Sequence, residues 1–164
     1  MNAPRKVMGF TLILFHLFLL TTLSAQSTGG PDLSGTWRMS SAKSKLSKAS
    51  KAGSQIVVIK QNGHQIEFDY DVDGKQSVEN FTADKKEKVV REVPEAGSKI
   101  VVKAYWKGRT LITESKAVFS MSSPLGAHEM MDTKNSWTIS SDGLVLTEKT
   151  QWDNGQSETV YDKQ

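Results

Sequence analysis

Residues 69–74 have the composition with which a calcium-binding loop opens, because aspartates occupy alternate positions and a glycine follows them. The glutamate that should close such a loop with two oxygen ligands would fall at position 80, which is Asn80. Alternation also places Asp69 and Asp71 on the outer face of a strand that runs into a turn. We therefore interpret this segment as a strand edge followed by a hairpin turn, and we expect no metal site.

Two histidines, His64 and His128, follow the N-terminal apolar segment. Neither has a histidine partner at the spacing of a metal site, and no nucleophile motif such as G-x-S-x-G accompanies the many serines. The chain has no cysteine, which excludes disulfides, thiol catalysis and cysteine-bound zinc. We therefore expect a protein that is not an enzyme, with no catalytic residues and no cofactor.

Glu148 is the residue at which sequence pattern and chemistry disagree. Along its strand it shares alternation with Leu144, Leu146 and Trp152, the side that should face the interior. A buried charge is costly unless it is paired or its pKa is shifted. In a cavity, such a carboxylate would anchor a cationic or hydroxylated group of a mostly apolar ligand. The alternatives are a β-bulge that turns Glu148 outward and an internal ion pair, for example with Arg38.

Tight turn signals ending in glycine divide the chain into the strands that must position these groups. Glycine, asparagine and aspartate supply the positive φ that hairpin loops need, and alternating apolar and polar runs flank each signal. The pattern predicts an all-β fold, an antiparallel up-and-down meander closed into a barrel of about 8–10 strands. The signals are Asn62-Gly63, Asp73-Gly74, Lys107-Gly108, Asp142-Gly143 and Asn154-Gly155. The expected strands are 35–39, 54–61, 64–72, 75–82, 87–93, 98–106, 109–119, 130–140, 143–152 and 156–163.

Counting outward from the turns predicts the strand pairs. The first signal pairs Ile59 with Ile66, and the third pairs Ala104 with Leu111. The fourth signal pairs Trp137 with Glu148, and the last pairs Glu148 with Tyr161. Each hairpin then has a mainly apolar inner face and a charged outer face, as a half-buried antiparallel sheet requires.

An aromatic set shares the inner faces with Glu148. Small barrels fill their interior with side chains, so each ring is a candidate for core packing. Together the rings are also what a hydrophobic ligand cavity would use. The candidate ligand-binding residues are Phe68, Tyr70, Trp106, Trp137, Glu148, Trp152 and Tyr161.

The N-terminal segment is typical of a secretory signal, with charged Arg5 and Lys6, an apolar run and a small residue at Ala25. We expect residues 1–25 to be cleaved, 26–32 to form a flexible leader and 33–164 to form one barrel domain in the periplasm or outside the cell. An uncleaved anchor is the alternative. Arg5 and Lys6 belong to the 21 basic residues set against 18 acidic ones, so the remaining chain is nearly neutral. We expect no nucleic acid partner and no membrane span after cleavage.

The residues Asp-Leu-Ser-Gly-Thr-Trp at 32–37, followed by Ala-Lys-Ser-Lys at 42–45, resemble a group of exported bacterial proteins with a lipocalin-like, calycin-type fold. The C-terminal residues 160–164 are similar to the tail of many of these proteins. Gly35 and Trp37 also resemble the G-x-W of lipocalins, in which the tryptophan closes the barrel floor under an arginine. The last strand here has no arginine. The resemblance implies a calycin-type barrel and small-molecule binding, and the group has no assigned activity to carry over.

Three functions are compatible with these features. The first is an exported, non-enzymatic protein that holds a small apolar or amphipathic ligand inside the barrel. The second is an interaction or inhibitor protein of the cell envelope, acting through its outer surface with a filled interior. The third is a hydrolase or isomerase built around Glu148. A cavity of about 300 Å³ or more favours the ligand-binding protein. An exposed apolar patch over a solid core favours the interaction protein. A raised pKa of Glu148 in an open pocket favours the enzyme.

Export should remove the segment that ends at Ala25, because the small residue after the apolar run suits cleavage. N-terminal sequencing of the secreted protein should therefore begin at Gln26. Material that begins at Met1 would instead support the uncleaved anchor.

Overall fold

Alternating apolar and polar runs between tight turns form ten antiparallel strands in the described part of the chain. The computed structural model describes residues 29–47, 53–94, 98–119 and 129–164. The predicted signal segment, the start of the predicted leader and His128 lie outside these ranges. The strands are β1 Gly35–Met39, β2 Gln55–Asn62, β3 Gln65–Val72, β4 Lys75–Thr82, β5 Glu87–Val93, β6 Ser98–Lys107, β7 Thr110–Phe119, β8 Glu129–Ile139, β9 Val145–Trp152 and β10 Gly155–Lys163.

The strands form one sheet in the order β4-β3-β2-β1-β10-β9-β8-β7-β6-β5. Consecutive strands are neighbours, as in an up-and-down meander, and the ladder between β1 and β10 joins the two ends of the chain. The sheet curls until β4 contacts β6, but among the described strands β4 and β5 form no ladder with each other. The predicted all-β, up-and-down architecture is therefore confirmed, and its ring has a gap between β4 and β5. No helix in the described part of the chain is long and apolar enough to span a membrane.

The hairpin turns keep the predicted faces but correct three of the predicted registers. Ile59 pairs with Phe68 and not with Ile66, because Gly63 is the first central residue of its loop and has a φ of 60°. Moving a loop by one residue changes each partner by two, so the same side chains still face inward. The hairpin at Lys107-Gly108 is shifted in the same way, and Ala104 pairs with Thr113.

The last hairpin also differs from its predicted register, whereas the one before it agrees. Gly155 already pairs with Trp152, so the loop is one residue earlier and Glu148 pairs with Thr159 instead of Tyr161. The pairing of Trp137 with Glu148 is confirmed.

An apolar floor fills one end of the barrel. Trp37, from the short strand β1, is completely buried there, and its indole Nε1 donates a hydrogen bond to the carbonyl oxygen of Leu33 at 2.9 Å. The ammonium group of Lys163, at the end of β10, lies 5.1 Å from the centre of the Trp37 ring. A cation thus lies over the face of the tryptophan ring. The floor consists of Leu33, Trp37, Val57, Ile59, Ile66, Phe68, Ala83, Leu111, Trp137, Ile139, Leu146 and Tyr161.

Residues just before β1 pack across this end of the barrel. Gly30 lies so close to the indole ring of Trp106 that any side chain at position 30 would overlap it. The backbone N–H of Leu33 donates to the side-chain oxygen of Gln61 at 3.1 Å, which holds the segment against β2. The described residues of the predicted leader therefore contact the barrel.

Replacing Trp37 by alanine should lower the free energy of unfolding by about 3–5 kcal/mol, because a completely buried ring leaves a large cavity. Chemical denaturation measures this change. Trp152→Ala is the matched control, since Trp152 is partly exposed and should cost less. Equal losses in the two variants would contradict a structural role for Trp37 in closing the barrel floor.

Candidate ligand-binding cavity

A cavity of about 730 Å³ lies on the inner side of β4 to β8, above the apolar floor. The strand alternation that buries Ala104 and Leu111 also turns Val102 and Thr113 inward, farther along the same strands. The cavity opens between β4 and β5, where the ring lacks a ladder. Its lining consists of residues 77–81 of β4 and 88–91 of β5, with Ile100, Val102, Thr113, Ser115 and Asn135.

Exposed valines form the rim of this gap. The exposed fractions are 56% for Val78 on β4 and 48% for both Val89 and Val90 on β5. The pairing of β5 with β6 shifts between Val89 and Arg91, which marks a β-bulge. A bulge bends an edge strand and interrupts its pairing pattern. The cavity therefore opens to solvent between exposed valines of β4 and β5. Arg91 lies on β5 at the same edge.

The predicted ligand-binding residues lie mainly in and around the floor. Phe68, Trp137 and Tyr161 are buried members of it, and Tyr70 and Trp106 pack against it. Their ligand-binding role stays a prediction, since the cavity lining given above includes none of the predicted residues. Sequence reasoning did not select the residues of β4 to β8 that do line the cavity. Alternation could place them inward, but it could not show that the ring opens beside them.

A line of aromatic rings runs through the floor. The ring centres of Phe68 and Trp137 are 4.8 Å apart, and those of Trp137 and Tyr161 are 6.1 Å apart. Tyr70 stacks on Phe68 at 6.0 Å and extends the line along β3. Such rings form a rigid apolar layer, and the two phenol hydroxyl groups at its edge need polar partners.

Glu148 provides one of these partners. It is only partly exposed and faces inward opposite Trp137, and the hydroxyl of Tyr161 donates a hydrogen bond to its Oε2 at 3.1 Å. The ladders of β9 with β8 and β10 show no register shift, so the alternative of an outward-turning bulge is wrong. The predicted alternative of an ion pair with Arg38 is also wrong, because the Arg38 guanidinium donates to Gln164 on the surface.

Glu79 provides the other partner from the edge strand β4. It lies on the inner face opposite Phe68, lines the cavity, is exposed at the edge strand and interacts with the side chain of Tyr70. We call Glu79, Glu148, Tyr70 and Tyr161 the carboxyl–tyrosine cluster. It connects four strands, β3, β4, β9 and β10, at the boundary between floor and cavity.

The low-polarity surroundings of this cluster shift its titration. Burial is the largest cause that raises the pKa of Glu148, and the hydrogen bond from Tyr161 opposes it. The charge of Glu79 adds to the increase, so the pKa is about 7 instead of 4.5. Burial also raises the pKa of Glu79, against the hydrogen bond from Tyr70. Burial and then the nearby carboxylates hold the pKa values of both tyrosines well above their ordinary value.

Asn135 adds an unsatisfied acceptor to the cavity wall. Its Oδ1 is buried and has no hydrogen-bond partner among the described residues. It lies on β8 opposite Thr150 and Thr113, on the same inner face as Trp137. Buried polar atoms are rarely left without a partner, so this oxygen marks a place for a donor from water or a ligand.

The other candidate polar groups serve the turns. The Asp71 carboxylate accepts a hydrogen bond from the N–H of Gly74 at 2.8 Å, and the Asp73 carboxylate accepts one from the N–H of Ser54 at 2.9 Å. His64 lies in the β2–β3 loop, with Nδ1 3.1 Å from the carbonyl oxygen of Ala83. Within the described ranges, no three histidines or carboxylates are grouped so that they could hold a metal ion.

No family model and no curated protein matches the sequence, but solved structures share its fold. The REP1-NXSQ fatty acid transporter is 16% identical, with a TM-score of 0.58 over 81% of this chain and 96% of that chain. A secretary abundant heat soluble protein from Ramazzottius varieornatus is 14% identical, with a TM-score of 0.57 over 80% and 94%. Apo lipid binding protein 8 of Caenorhabditis elegans is 12% identical, with a TM-score of 0.58 over 80% and 94%. These similarities show the fold alone, and they are consistent with the expected lipocalin-like, calycin-type barrel.

The free energy of unfolding should fall between pH 4.5 and about 7, because the folded protein keeps a proton on Glu148 that the unfolded chain has lost. Glu148→Gln should remove this part of the decrease and stabilise the protein above pH 7 by about 1–3 kcal/mol. Denaturation at several pH values measures the change.

The control for this comparison is Glu67→Gln, which removes a carboxylate that is ion-paired with Lys60 at 2.7 Å on the outer face. Glu67→Gln should leave the decrease in the free energy of unfolding between pH 4.5 and about 7 unchanged. If Glu148→Gln and wild type show the same dependence on pH, Glu148 does not titrate as a partly buried group.

Proposed function

We propose that this protein is an exported, non-enzymatic binding protein that holds a small apolar or amphipathic ligand in the cavity beside the β4–β5 gap. The observation that carries the proposal is the cavity of about 730 Å³. Ligand sites typically have volumes of about 300–1,000 Å³ and combine apolar walls with a few polar groups. Export is part of the proposal because of the signal pattern of residues 1–25.

The lining has the mixed chemistry that such a ligand needs. Ile100 and Val102 provide apolar wall, while Thr113, Ser115 and Asn135 provide hydroxyl and amide groups on the adjoining strands. The exposed valines at the gap leave apolar surface in water, which an alkyl chain entering the cavity would cover. An amphipathic ligand would place its chain at the rim and apolar wall and its head group at the polar side.

The similar solved structures support a ligand-binding role. Two of them are named as a fatty acid transporter and a lipid binding protein, and both names describe binding or transport without catalysis. A barrel of this type with an open interior can hold a hydrophobic ligand. The competing role as an interaction protein with a filled interior is disfavoured by the cavity.

The raised pKa of Glu148 is the observation that favours a hydrolase or isomerase. A general acid or base must reach the reacting atoms within hydrogen-bond distance. Glu148 is instead bonded to Tyr161 at the level of the floor, and the cavity lining does not include it. This arrangement supports binding more strongly than proton transfer to a substrate.

Filling the cavity should abolish binding of a neutral probe. In Ile100→Trp a large ring would occupy the cavity, and the affinity for a neutral solvatochromic dye such as Nile red should fall at least about tenfold. Fluorescence titration measures the affinity, and thermal unfolding confirms that the variant is folded. Lys99→Trp is the matched control, because Lys99 is exposed on the opposite face of β6. Equal affinities in the two variants would contradict binding in this cavity.

A further inference from the structure

We propose that the free edge of β4 is an interaction surface for a second copy of this chain. The two β4 strands pair antiparallel around a twofold axis that passes Ser77, so that each copy extends the sheet of the other. The regularity of this edge, its free hydrogen-bonding groups and its charges each favour this pairing.

The two free edges of the described sheet, β4 and β5, differ in how well they are protected. β5 has a β-bulge between Val89 and Arg91, and a bulge hinders the pairing of an edge with another strand. β4 pairs with β3 along its whole length without a register shift, and it contains no proline. Its residues 75–80 are exposed, including Val78 with an exposed fraction of 56%. β4 is therefore an unprotected edge that can accept another strand.

Alternate residues of β4 direct their backbone groups to the free edge. The loop before β4 has two residues, so the N–H of Lys75 bonds back to the end of β3. Both backbone groups of a strand residue point to one side, and those of the next residue point to the other. The N–H of Ala83 continues the series toward β3, because it donates to the loop before that strand at 2.8 Å. The residues between, whose groups no described strand pairs, are Gln76, Val78 and Asn80.

The charges on β4 select one register for the pairing of two copies. With Ser77 opposite its own copy, Lys75 of each chain lies opposite Glu79 of the other. Opposite charges across a strand pair stabilise a sheet, and like charges destabilise it. An axis at Val78 would place Glu79 opposite Ser77, and an axis at Glu79 would place two carboxylates opposite each other. Of these registers, only the axis at Ser77 pairs opposite charges.

Both charged residues are available for this contact. The ion pairs found in the described part of the chain join other residues, and none includes Lys75 or Glu79. Both residues are exposed in the single chain. A second copy would therefore give each of them a partner of opposite charge without breaking an ion pair of the described residues.

The second copy would also lie at the mouth of the cavity. Ser77 and Glu79 line the cavity from the inner face of β4, and Lys75 shares their alternation. The second copy therefore contributes its Lys75 beside Glu79 at the opening. On the outer face, Val78 would lie opposite Gln76 of the second copy and lose exposed apolar surface. Because one strand from each copy makes the contact, the association should be weak and reversible.

Single cysteines test the register, since the chain has none of its own. Ser77→Cys would place two thiols opposite each other at a Cα separation of about 4.5–5.5 Å, which suits a disulfide. With oxidised glutathione as the oxidant, it should form covalent dimers at least about tenfold faster than Val78→Cys, whose thiols would be offset by two residues. Ser141→Cys, exposed in the β8–β9 turn, is the control for random collision. Non-reducing electrophoresis measures the rates.

A charge exchange tests the same contact without a covalent bond. Lys75→Glu turns both attractive pairs into repulsive ones and should raise the dissociation constant of the dimer at least about fivefold. Adding Glu79→Lys to it should restore the wild-type value to within about twofold. Lys88→Glu on the other free edge, β5, is the matched control and should have no effect. Sedimentation equilibrium measures the dissociation constants, and thermal unfolding confirms that each variant is folded.

Three results would overturn the proposal. In the first, the wild-type protein stays monomeric up to about 500 µM and Ser77→Cys forms dimers no faster than Ser141→Cys. In the second, Val78→Cys reacts faster than Ser77→Cys, or Lys88→Glu weakens association as much as Lys75→Glu, so that another register or the other edge makes the contact. In the third, assemblies grow beyond two chains, because a contact between β4 of one copy and β5 of the next does not close.

Discussion

The ladder between β1 and β10 is the contact on which the rest of this structure depends. It joins the two ends of the chain, with Trp37 opposite Lys163, and makes one continuous sheet of all ten strands. A sheet that is joined at its chain ends must have its two free edges elsewhere. Those edges are β4 and β5, so the opening, its valine rim and the cavity behind it are all consequences of where the ring is joined.

One part of the interior is closely packed and stabilises the fold, and the other part contains the cavity. Close-packed floor side chains such as Trp37 and Leu146 contribute hydrophobic burial, whereas the upper part contains polar groups and empty volume. Glu148 lies at this boundary, where partial burial makes its charge unfavourable. An apolar residue of similar size at this position should make the fold more stable.

Fold similarity and head-group chemistry are separate properties of this barrel. The similar solved structures, at 12–16% identity, show the fold alone. Which polar group a bound molecule would carry depends on a few inward side chains. Here the charged side chains that line the cavity are Glu79, Lys88 and Arg91.

The sequence by itself determined the strands, their inner faces and the inward position of Glu148, because alternation and turn residues act over short distances along the chain. It did not determine the register at Gly63 and Gly155, since glycine can occupy different places in a tight loop and each choice keeps the same faces. The cavity and the approach of Glu79 to Glu148 were decided only by the tertiary structure. Both depend on which distant strands pair and which stay apart, and no local pattern of residues encodes the place where a curled sheet fails to close.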